Sequence, residues 1–297
     1  MEVPLPISGS TRLYGLIGRS IKNSRSPLIH NTAFFHNHIQ SVYIPLQTSD
    51  RIEDQQSLGT VLHTLCTLGF SGLNVTMPYK EAALPFVSVH DPAVMGTGAL
   101  NTIRISDGIM YGYNTDVYGI NESLRQAGVS VRGASVAIIG AGGVARAAGY
   151  ALDSQGAKNI SIVARNPQKA ASTAASLKAG VLNNAAFAHE DLTNINADSL
   201  QKYDMIVNAT PVGMNGYPAA FSYKKWYFRT DQVYFDLVYY PWETSMMKEA
   251  YDAGAHVIGG LNMLIYQAIK SFEIWTGITP SFSLIKTTVM DQQGTDA

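Results

Sequence analysis

Short apolar runs alternate with helical periodicities along the first third of the chain. The predicted strands are residues 13–17, 42–45 and 72–75. Ser26 and Pro27 predict a helix start, with the serine hydroxyl as N-cap and the proline in the first turn. A second helix is predicted over residues 52–68, where leucine and valine recur at helical spacing. This alternation predicts parallel strands joined by right-handed crossovers, and hence a first α/β domain.

The pattern changes near residue 100 and then resumes. Apolar runs on both sides of Ser106-Asp107-Gly108 predict a β-hairpin, and a helix follows over residues 115–126. Further strands are predicted at residues 136–139, 160–163, 205–208, 233–237 and 256–258, and further helices at residues 144–155, 170–179, 263–275 and 282–290. We therefore predict a two-domain α/β protein. A Rossmann-like, dinucleotide-binding domain of residues 119–259 interrupts a substrate-binding domain of residues 1–118, which the C-terminal helices of residues 260–297 complete.

Composition and charge narrow the class of partner. The chain has 297 residues, 21 Lys and Arg against 22 Asp and Glu, and only 14% charged residues. This balance provides no electrostatic footprint for nucleic acid or an anionic membrane. The lone Cys66 excludes an intrachain disulfide, the histidines lack metal-ligand spacing, and residues 1–4 do not resemble a signal sequence. We expect a cytoplasmic protein, monomer or homodimer, that takes a small molecule and no metal.

A glycine-rich turn follows the apolar strand at residues 136–139. Its sequence is Gly140-x-Gly142-x-x-Ala145, with alanine replacing the third glycine of the dinucleotide fingerprint. Gly140 permits a tight turn, Gly142 lets the backbone approach a pyrophosphate, and the following helix offers free N–H groups to an anion. A glycine turn without a ligand is the alternative interpretation.

The end of the next predicted strand bears on the choice of cofactor. NAD enzymes place an acidic residue there, but Val163-Ala164 leads into Arg165, and no acid lies between Asp153 and Glu190. A guanidinium group can bind a 2′-phosphate in a bidentate manner, so Arg165 favours NADP. An ordinary surface arginine is the alternative.

Polar clusters follow the predicted elements of the first domain, where open α/β sheets bind ligands. They are Ser24-x-Ser26-Pro27, Asn74-Val-Thr76-x-Pro-x-Lys80, Gly98-Ala-Leu-Asn101-Thr and Asn114-Thr-Asp116. Their hydroxyls, amides, ammonium and carboxylate suit a small polyhydroxylated acid. Lys80 as an ammonium group can donate a proton to a developing alkoxide, and a neighbouring Asp116 would favour that charged form. The sequence leaves open which of the two is the formal acid, and whether both only bind hydroxyl groups.

In these motifs the chain resembles the shikimate/quinate dehydrogenase family, and the resemblance covers nearly its whole length. The second half adds Asn208-Ala-Thr-Pro-x-Gly-Met214, Asp236-Leu-Val-Tyr239-x-Pro241 and Gly260-Leu-x-Met-Leu-x-x-Gln267. The resemblance implies reversible, NADP-linked reduction of 3-dehydroshikimate to shikimate, in the pathway to aromatic amino acids.

The resemblance also implies residue roles. Ser24 and Ser26 hold the substrate carboxylate with Tyr239 nearby, and Thr76, Lys80, Asn101, Asp116 and Gln267 bind the ring hydroxyls. The implied cofactor-binding residues are Gly140, Ala141, Gly142, Gly143, Val144, Ala145, Arg165, Thr210, Gly260 and Met263.

Two positions depart from the family pattern. Asn23 stands where the family has histidine, and Ala164-Arg165-Asn166 stands where it has Asn-Arg-Thr. The second change keeps the arginine but loses neighbouring phosphate contacts, so a weaker NADP preference is expected. The alternatives are a quinate or dual quinate/shikimate dehydrogenase using NAD or NADP, a non-catalytic ligand or cofactor sensor on the same fold, and a methylenetetrahydrofolate dehydrogenase, whose substrate fits the paired serines poorly.

Overall fold

The computed structural model describes residues 7–48, 52, 54–180, 185–194, 197–215 and 228–292. Within this range the chain forms two compact units. The first unit holds the residues up to Met95, then Ala99–Thr115 and the chain from Ile265 onward, and the second holds Gly96–Gly98 and Asp116–Leu264. The prediction about a signal sequence concerns residues 1–4, which lie outside the described residues.

Strands and helices alternate along most of the chain. The strands are β1 (Arg12–Gly18), β2 (Ser41–Gln47), β3 (Phe70–Val75), β4 (Val89–His90), β5 (Thr102–Ser106), β6 (Ile109–Tyr113), β7 (Ser135–Ile139), β8 (Asn159–Ala164), β9 (Ala186–Asp191), β10 (Met205–Asn208), β11 (Val233–Asp236) and β12 (His256–Ile258). The helices are α1 (Ser26–His36), α2 (Gln55–Thr67), α3 (Pro92–Thr97), α4 (Thr115–Gln126), α5 (Gly143–Ser154), α6 (Pro167–Ala179), α7 (Ala197–Gln201), α8 (Ser245–Asp252), α9 (Gly260–Thr276) and α10 (Phe282–Asp291).

The first unit is built on a mixed sheet with the strand order β2-β1-β3-β5-β6-β4. β1 pairs in parallel with β2 and with β3, as the strand–helix alternation predicted. β5 and β6 form the predicted antiparallel hairpin, and its turn residues Asp107 and Gly108 have φ of 54° and 74°. Positive φ at both positions suits an Asp-Gly turn between twisted strands. Apolar side chains of β1, β3 and α2, among them Leu58, Leu62 and Leu73, form its core.

The start of α1 differs from the prediction by one residue. Ser26 is the first residue of the helix, and Arg25 occupies the N-cap position without a side-chain bond. Instead, Ser24 Oγ accepts the N–H of Ser26 at 3.2 Å. The prediction that Ser26 caps the helix was therefore wrong, because the hydroxyl two residues earlier takes up a free amide of the first turn.

The second unit contains an all-parallel sheet with the order β12-β11-β10-β7-β8-β9. The predicted strands are all present, and their near-continuous apolar sequences are typical of strands buried on both faces. β9 was not predicted: it is an edge strand of sequence Ala-Phe-Ala-His-Glu-Asp, partly exposed and without a continuous apolar run. β10 and β8 flank β7 on opposite sides, so the carboxyl end of β7 is the point where an open α/β sheet binds its ligand.

Within the described residues, none of the helices combines the length and the apolar composition required to cross a membrane.

Candidate active site

A buried cluster of amides and hydroxyls lies where the end of β3 meets the start of β5. Asn74 and Thr102 are cross-strand partners, and Asn74 Nδ2 donates to Thr102 Oγ1 at 3.0 Å. Thr102 Oγ1 lies 3.1 Å from Asn101 Oδ1, to which it can donate. These side chains are buried, so their polar atoms satisfy one another in place of water. The amide–hydroxyl cluster, as we call it, comprises Asn74, Asn101, Thr102, Thr115, Gln267 and Ser271.

Asn101 and Gln267, both predicted to bind ring hydroxyls, meet in this cluster. Oδ1 of Asn101 accepts the backbone N–H of Thr115 at 2.8 Å. Nδ2 of Asn101 donates to Thr115 Oγ1 at 2.9 Å and to Gln267 Oε1 at 3.4 Å. The fold of the first unit therefore brings together two predicted site residues that are far apart in sequence.

The predicted carboxylate-binding serines lie at the start of α1 and are linked to the same cluster. Ser26 is 8% exposed, and its side chain lies close enough to the Tyr43 hydroxyl to lower the pKa of that group, against the larger effect of burial. The Tyr43 hydroxyl donates to Asn74 Oδ1 at 2.8 Å. Sequence reasoning missed Tyr43, because no local motif marks a tyrosine on β2 as the neighbour of a serine on α1.

His30 and Tyr43 stack with their ring centroids 4.5 Å apart. Burial lowers the pKa of His30 to about 3, because the charged imidazolium would lose its hydration. Burial also raises the pKa of Tyr43 well above its ordinary value. At neutral pH the imidazole is therefore uncharged and the phenol keeps its proton, so the Tyr43 hydroxyl remains a donor to Asn74.

Thr76 and Lys80 lie in the turn that follows β3. The N–H of Thr76 donates to the Ile17 carbonyl at 3.0 Å, which ties this turn to the carboxyl end of β1. The carbonyl of Lys80 accepts the N–H of Leu100 at 2.9 Å, and its side chain is half-buried. The turn thus holds both residues in the first unit.

Asp116 is the second residue of α4 and is 4% exposed. It directly follows Thr115, whose N–H and hydroxyl both bond to Asn101. Asp116 belongs to the second unit and Lys80 to the first. Their pairing therefore stays a prediction.

The glycine-rich turn has the conformation that the fingerprint requires. Gly140 has φ of 123°, and a Cβ there would lie 2.8 Å from the carbonyl oxygen of Ala209. Gly142 is the N-cap of α5, and a Cβ there would meet no atom within 4 Å. The space at this Cβ position is therefore open, and the first-turn N–H groups of α5, from Gly143, Val144 and Ala145, have no intrahelical acceptor. These features fit the pyrophosphate of a dinucleotide.

Thr210 is held beside this turn by Asn208 at the end of β10. Oδ1 of Asn208 accepts the Thr210 N–H at 3.1 Å and its hydroxyl at 2.7 Å. Its Nδ2 donates to Asp236 Oδ1 at 2.9 Å. The Thr210 side chain lies against Gly140, since a Cβ on that glycine would be 3.3 Å from Thr210 Cγ2.

Asp236, at the end of β11, is the centre of a second buried cluster. Besides Asn208, its carboxylate accepts the N–H of Val238 at 3.0 Å and the hydroxyls of Thr244 at 2.7 Å and Tyr234 at 3.2 Å. Burial raises the pKa of Asp236, although each of these donors acts in the opposite direction. We call Asn208, Tyr234, Asp236 and Thr244 the carboxylate cluster.

Tyr239, Gly260 and Met263 belong to the same part of the second unit. Tyr239 directly follows Val238 and is half-buried. The N–H of Gly260 donates to the Val238 carbonyl at 3.2 Å, and a Cβ there would lie 2.5 Å from that oxygen. Only glycine allows α9 to begin so close to this loop, and Met263 follows on α9 with 6% exposure.

Arg165 is exposed and directly follows β8. Asp191, on β9, is the ladder partner of Ala164, and Ala164 is the residue directly before Arg165. Its carboxylate accepts the N–H and the hydroxyl of Thr193 at 2.9 and 2.8 Å, and these bonds lower its pKa. Counting along the chain did not reveal this acid at the neighbouring strand end, because it comes from the unpredicted strand β9.

No group of three histidine, cysteine or acidic side chains in the described part of the chain could hold a metal ion. The predicted site residues fall into two sets, one in each unit. The first unit holds the amide–hydroxyl cluster with Ser24, Ser26, Thr76 and Lys80, and the second holds Asp116, the glycine-rich turn, Arg165, Thr210, Tyr239, Gly260 and Met263.

A parallel sheet with a dinucleotide turn, in a chain whose other unit buries amides and hydroxyls, defines a two-domain nicotinamide-dependent dehydrogenase. Family models match in three regions. Residues 16–103 match the shikimate dehydrogenase substrate binding domain, residues 260–290 the shikimate 5′-dehydrogenase C-terminal domain, and residues 136–258 the saccharopine dehydrogenase NADP binding domain. The chain is 36% identical over 289 residues to the shikimate dehydrogenase (NADP(+)) of Methanocaldococcus jannaschii, covering 96% of this chain and 99% of that protein. It belongs to the shikimate dehydrogenase family.

Solved structures are similar over the same length. A shikimate dehydrogenase in complex with NADP⁺ has a TM-score of 0.85 at 33% identity, covering 98% of this chain and 99% of that one. The quinate dehydrogenase of Corynebacterium glutamicum in complex with NAD has a TM-score of 0.84 at 30% identity, covering 95% of this chain and 99% of that one.

Proposed function

We propose that the protein catalyses the reversible, NADP-dependent reduction of 3-dehydroshikimate to shikimate, in the pathway to aromatic amino acids. The observation that carries this proposal is the meeting of Asn101 and Gln267 in a buried cluster, in a chain of this family. Their amides suit a ring that carries several hydroxyl groups, since each offers both donors and an acceptor.

Reduced NADP, when bound, would supply the hydride that the carbonyl carbon of 3-dehydroshikimate gains in the reduction. We propose that Lys80 donates the proton to the carbonyl oxygen as the hydride arrives, and takes it back in the reverse reaction. Asp116 is proposed as its partner, which favours the ammonium form and directs it. Ser24 and Ser26 would bind the substrate carboxylate with Tyr239 nearby, while Thr76, Asn101 and Gln267 would bind the hydroxyls.

The proposed division of labour assigns the substrate to residues 1–118 and 260–297 and the cofactor to residues 119–259. Gly140 to Ala145 would face the pyrophosphate, Arg165 the 2′-phosphate, and Thr210 the nicotinamide side. Gly260 and Met263, at the start of the C-terminal helices, are proposed to bind the nicotinamide side as well, as an exception to this division. The open space at the Cβ position of Gly142 and the exposure of Arg165 support this assignment. We also propose that the protein is cytoplasmic and is a monomer or a homodimer. Light scattering on the purified protein would distinguish the two oligomeric states.

A quinate dehydrogenase, or a dual enzyme that also uses NAD, is the second candidate. Two observations favour it: the similarity to a quinate dehydrogenase in complex with NAD, and the presence of Ala164 and Asn166 on either side of Arg165. Asp191 opposite Ala164 adds a negative charge near the end of β8.

The test measures nicotinamide absorbance with shikimate or quinate, each combined with NADP⁺ or NAD⁺. Turnover of shikimate with NADP⁺ on the order of 10 per second supports the proposal. Turnover chiefly with quinate or NAD⁺ selects the second candidate. Folded protein that binds cofactor but turns over none of the pairs would overturn both and indicate a sensor.

A further inference from the structure

Ser271 is a fully buried residue on α9 that no motif singled out. It lies four residues after Gln267, so both project from the same face of the helix. Its Oγ donates to the Gln267 carbonyl at 3.0 Å and accepts from Asn74 Nδ2 at 3.2 Å. The hydroxyls of Thr102 and Thr115 lie 2.8 and 3.0 Å away. A hydroxyl has one proton and two lone pairs, so three of these four contacts fill its capacity at any one time.

The donors in this cluster fix which way its amides face. The backbone N–H of Thr115 can only donate, so the Asn101 atom 2.8 Å from it is the oxygen Oδ1. Nδ2 therefore lies on the other side of the carboxamide, 3.4 Å from Gln267. Because Nδ2 can only donate, the Gln267 atom that faces it is Oε1. The amide nitrogen of Gln267 is consequently turned to the side away from Asn101.

The Ser271 hydroxyl maintains this arrangement through the two threonines. Thr102 Oγ1 and Thr115 Oγ1 lie 3.1 and 3.2 Å from Asn101 Oδ1, and both also contact Ser271. Without the serine hydroxyl, the two threonine hydroxyls and Asn74 Nδ2 lose an acceptor that can bond to two of them at a time. Such groups reorient to find another partner, because an unsatisfied buried donor costs free energy.

We propose that Ser271 is a positioning residue that holds Asn101 and Gln267 in the orientation that recognises ring hydroxyls. This inference rests on the proposed function, because it assigns the amide–hydroxyl cluster to the substrate. Ser271 acts through its neighbours and is not itself proposed to touch the substrate or the cofactor.

The test compares Ser271→Ala with Ser123→Ala. Ser123 is a matched control, since it is also buried on a helix and donates to the carbonyl four residues earlier, at 2.8 Å to Gly119. It lies in the second unit, outside both clusters. Calorimetry measures the dissociation constants for shikimate and for NADP⁺, and steady-state kinetics separates KM from kcat.

We expect Ser271→Ala to raise the dissociation constant and KM for shikimate about tenfold, the usual effect of one lost buried hydrogen bond. The dissociation constant for NADP⁺ should stay within about twofold of wild type, as should both constants in Ser123→Ala. The ratio of the dissociation constants for shikimate and for analogues that lack one ring hydroxyl should move closer to one in Ser271→Ala, which a general loss of stability would not cause. Ser271→Thr, which keeps the hydroxyl, should show the wild-type ratio.

Shikimate binding by Ser271→Ala equal to that of Ser123→Ala would overturn the inference and leave the proposed function standing. If wild type itself fails to bind shikimate, both are overturned. Thr102→Val removes another hydroxyl of the same cluster with little change of shape. Should Ser271→Ala not fold, the same tenfold selective loss is expected in Thr102→Val, and its absence there counts against the inference.

Discussion

The two buried polar clusters differ in charge. The amide–hydroxyl cluster of the first unit contains only neutral groups, and its neighbours His30 and Tyr43 are also kept neutral by burial. The carboxylate cluster of the second unit surrounds Asp236 with hydrogen-bond donors from β10, β11, the following loop and the start of α8. Neutral amides tolerate burial once they are paired, whereas a buried carboxyl group needs several donors. The first arrangement therefore fixes the direction of donors and acceptors, and the second fixes the path of the loops that carry Thr210 and Tyr239.

Lys80→Ala tests whether the Lys80 ammonium group takes part in the chemical step. We expect kcat to fall by about 10² or more, because a positioned acid–base group contributes that much. KM for shikimate should change less. Lys248→Met, at an exposed lysine of α8, is the control. Near-wild-type turnover of Lys80→Ala in stopped-flow and steady-state assays would remove Lys80 from the chemical step.

Asp236→Asn tests the role of charge in the second cluster. The amide keeps one oxygen for Asn208 and Val238, but its NH₂ group would face the hydroxyls of Tyr234 and Thr244, which would have to turn from donating to accepting. Because both hydroxyl bonds are disturbed, we expect the free energy of unfolding to fall by about 2 kcal/mol. KM for NADP⁺ should rise slightly, because the bond from Asn208, which holds Thr210, loses the charge of its acceptor. Urea denaturation and kinetics measure the two effects, with Asp231→Asn at an exposed aspartate as control. Unchanged stability would show that the loops do not depend on the carboxylate.

His30→Gln tests whether the first unit depends on neutrality. The folded-state pKa of about 3 lies below the ordinary value of 6.5, so the unfolded chain binds more protons between these values. The stabilisation from neutral His30 is complete above pH 6.5 and is lost as the pH falls towards 3. We expect the free energy of unfolding of wild type to drop by about 2 kcal/mol between pH 6.5 and pH 5 from this residue alone.

Urea denaturation at these two pH values measures the effect. The decrease in the free energy of unfolding should be about 2 kcal/mol smaller in His30→Gln than in wild type. His63→Gln, a change at an exposed histidine of α2, should show the same decrease as wild type. Equal pH dependence in both variants would mean that His30 is not neutral by burial.

Arg165→Ala tests an exposed charge in the second unit, in contrast to the buried Asp236. We expect KM for NADP⁺ to rise about tenfold and KM for NAD⁺ to stay nearly constant, because only NADP⁺ carries the 2′-phosphate. Asp191→Asn should act in the opposite direction and more weakly, since it removes a negative charge at the neighbouring strand end. Parallel changes for both cofactors in Arg165→Ala would contradict a phosphate role.

The sequence revealed what local patterns encode. The turn at Gly140 and Gly142 was predictable, because its function depends on residues that are close along the chain. β9 was missed because its polar sequence lacks the apolar run of a buried strand. Ser26 was placed at the N-cap because the pattern cannot tell which of two serines takes the free amide.

Long-range contacts explain the remaining gaps. The partners of Ser271 include Asn74, which is 197 residues away in sequence. Only its spacing of four from Gln267 could have drawn attention to it. Tyr43 offered no such signal, because its role comes from the packing of α1 on β2 and from a hydrogen bond that reaches across β1 to Asn74 on β3. Residues that bind were thus easier to predict than residues that position them.

The order in which the two units can finish folding follows from the way the second unit interrupts the first along the chain. Trp275 packs against Gly72, where a Cβ would lie 2.4 Å from its indole nitrogen, and that nitrogen donates to the Ile103 carbonyl at 3.0 Å. A ribosome makes β3 and β5 long before it makes α9, while the second unit is synthesised in between. The first unit therefore lacks the packing of Trp275 against Gly72 and Ile103 until α9 has been synthesised. Domains generally fold as they are made. The cofactor half of the protein can mature first, and the substrate half is completed last.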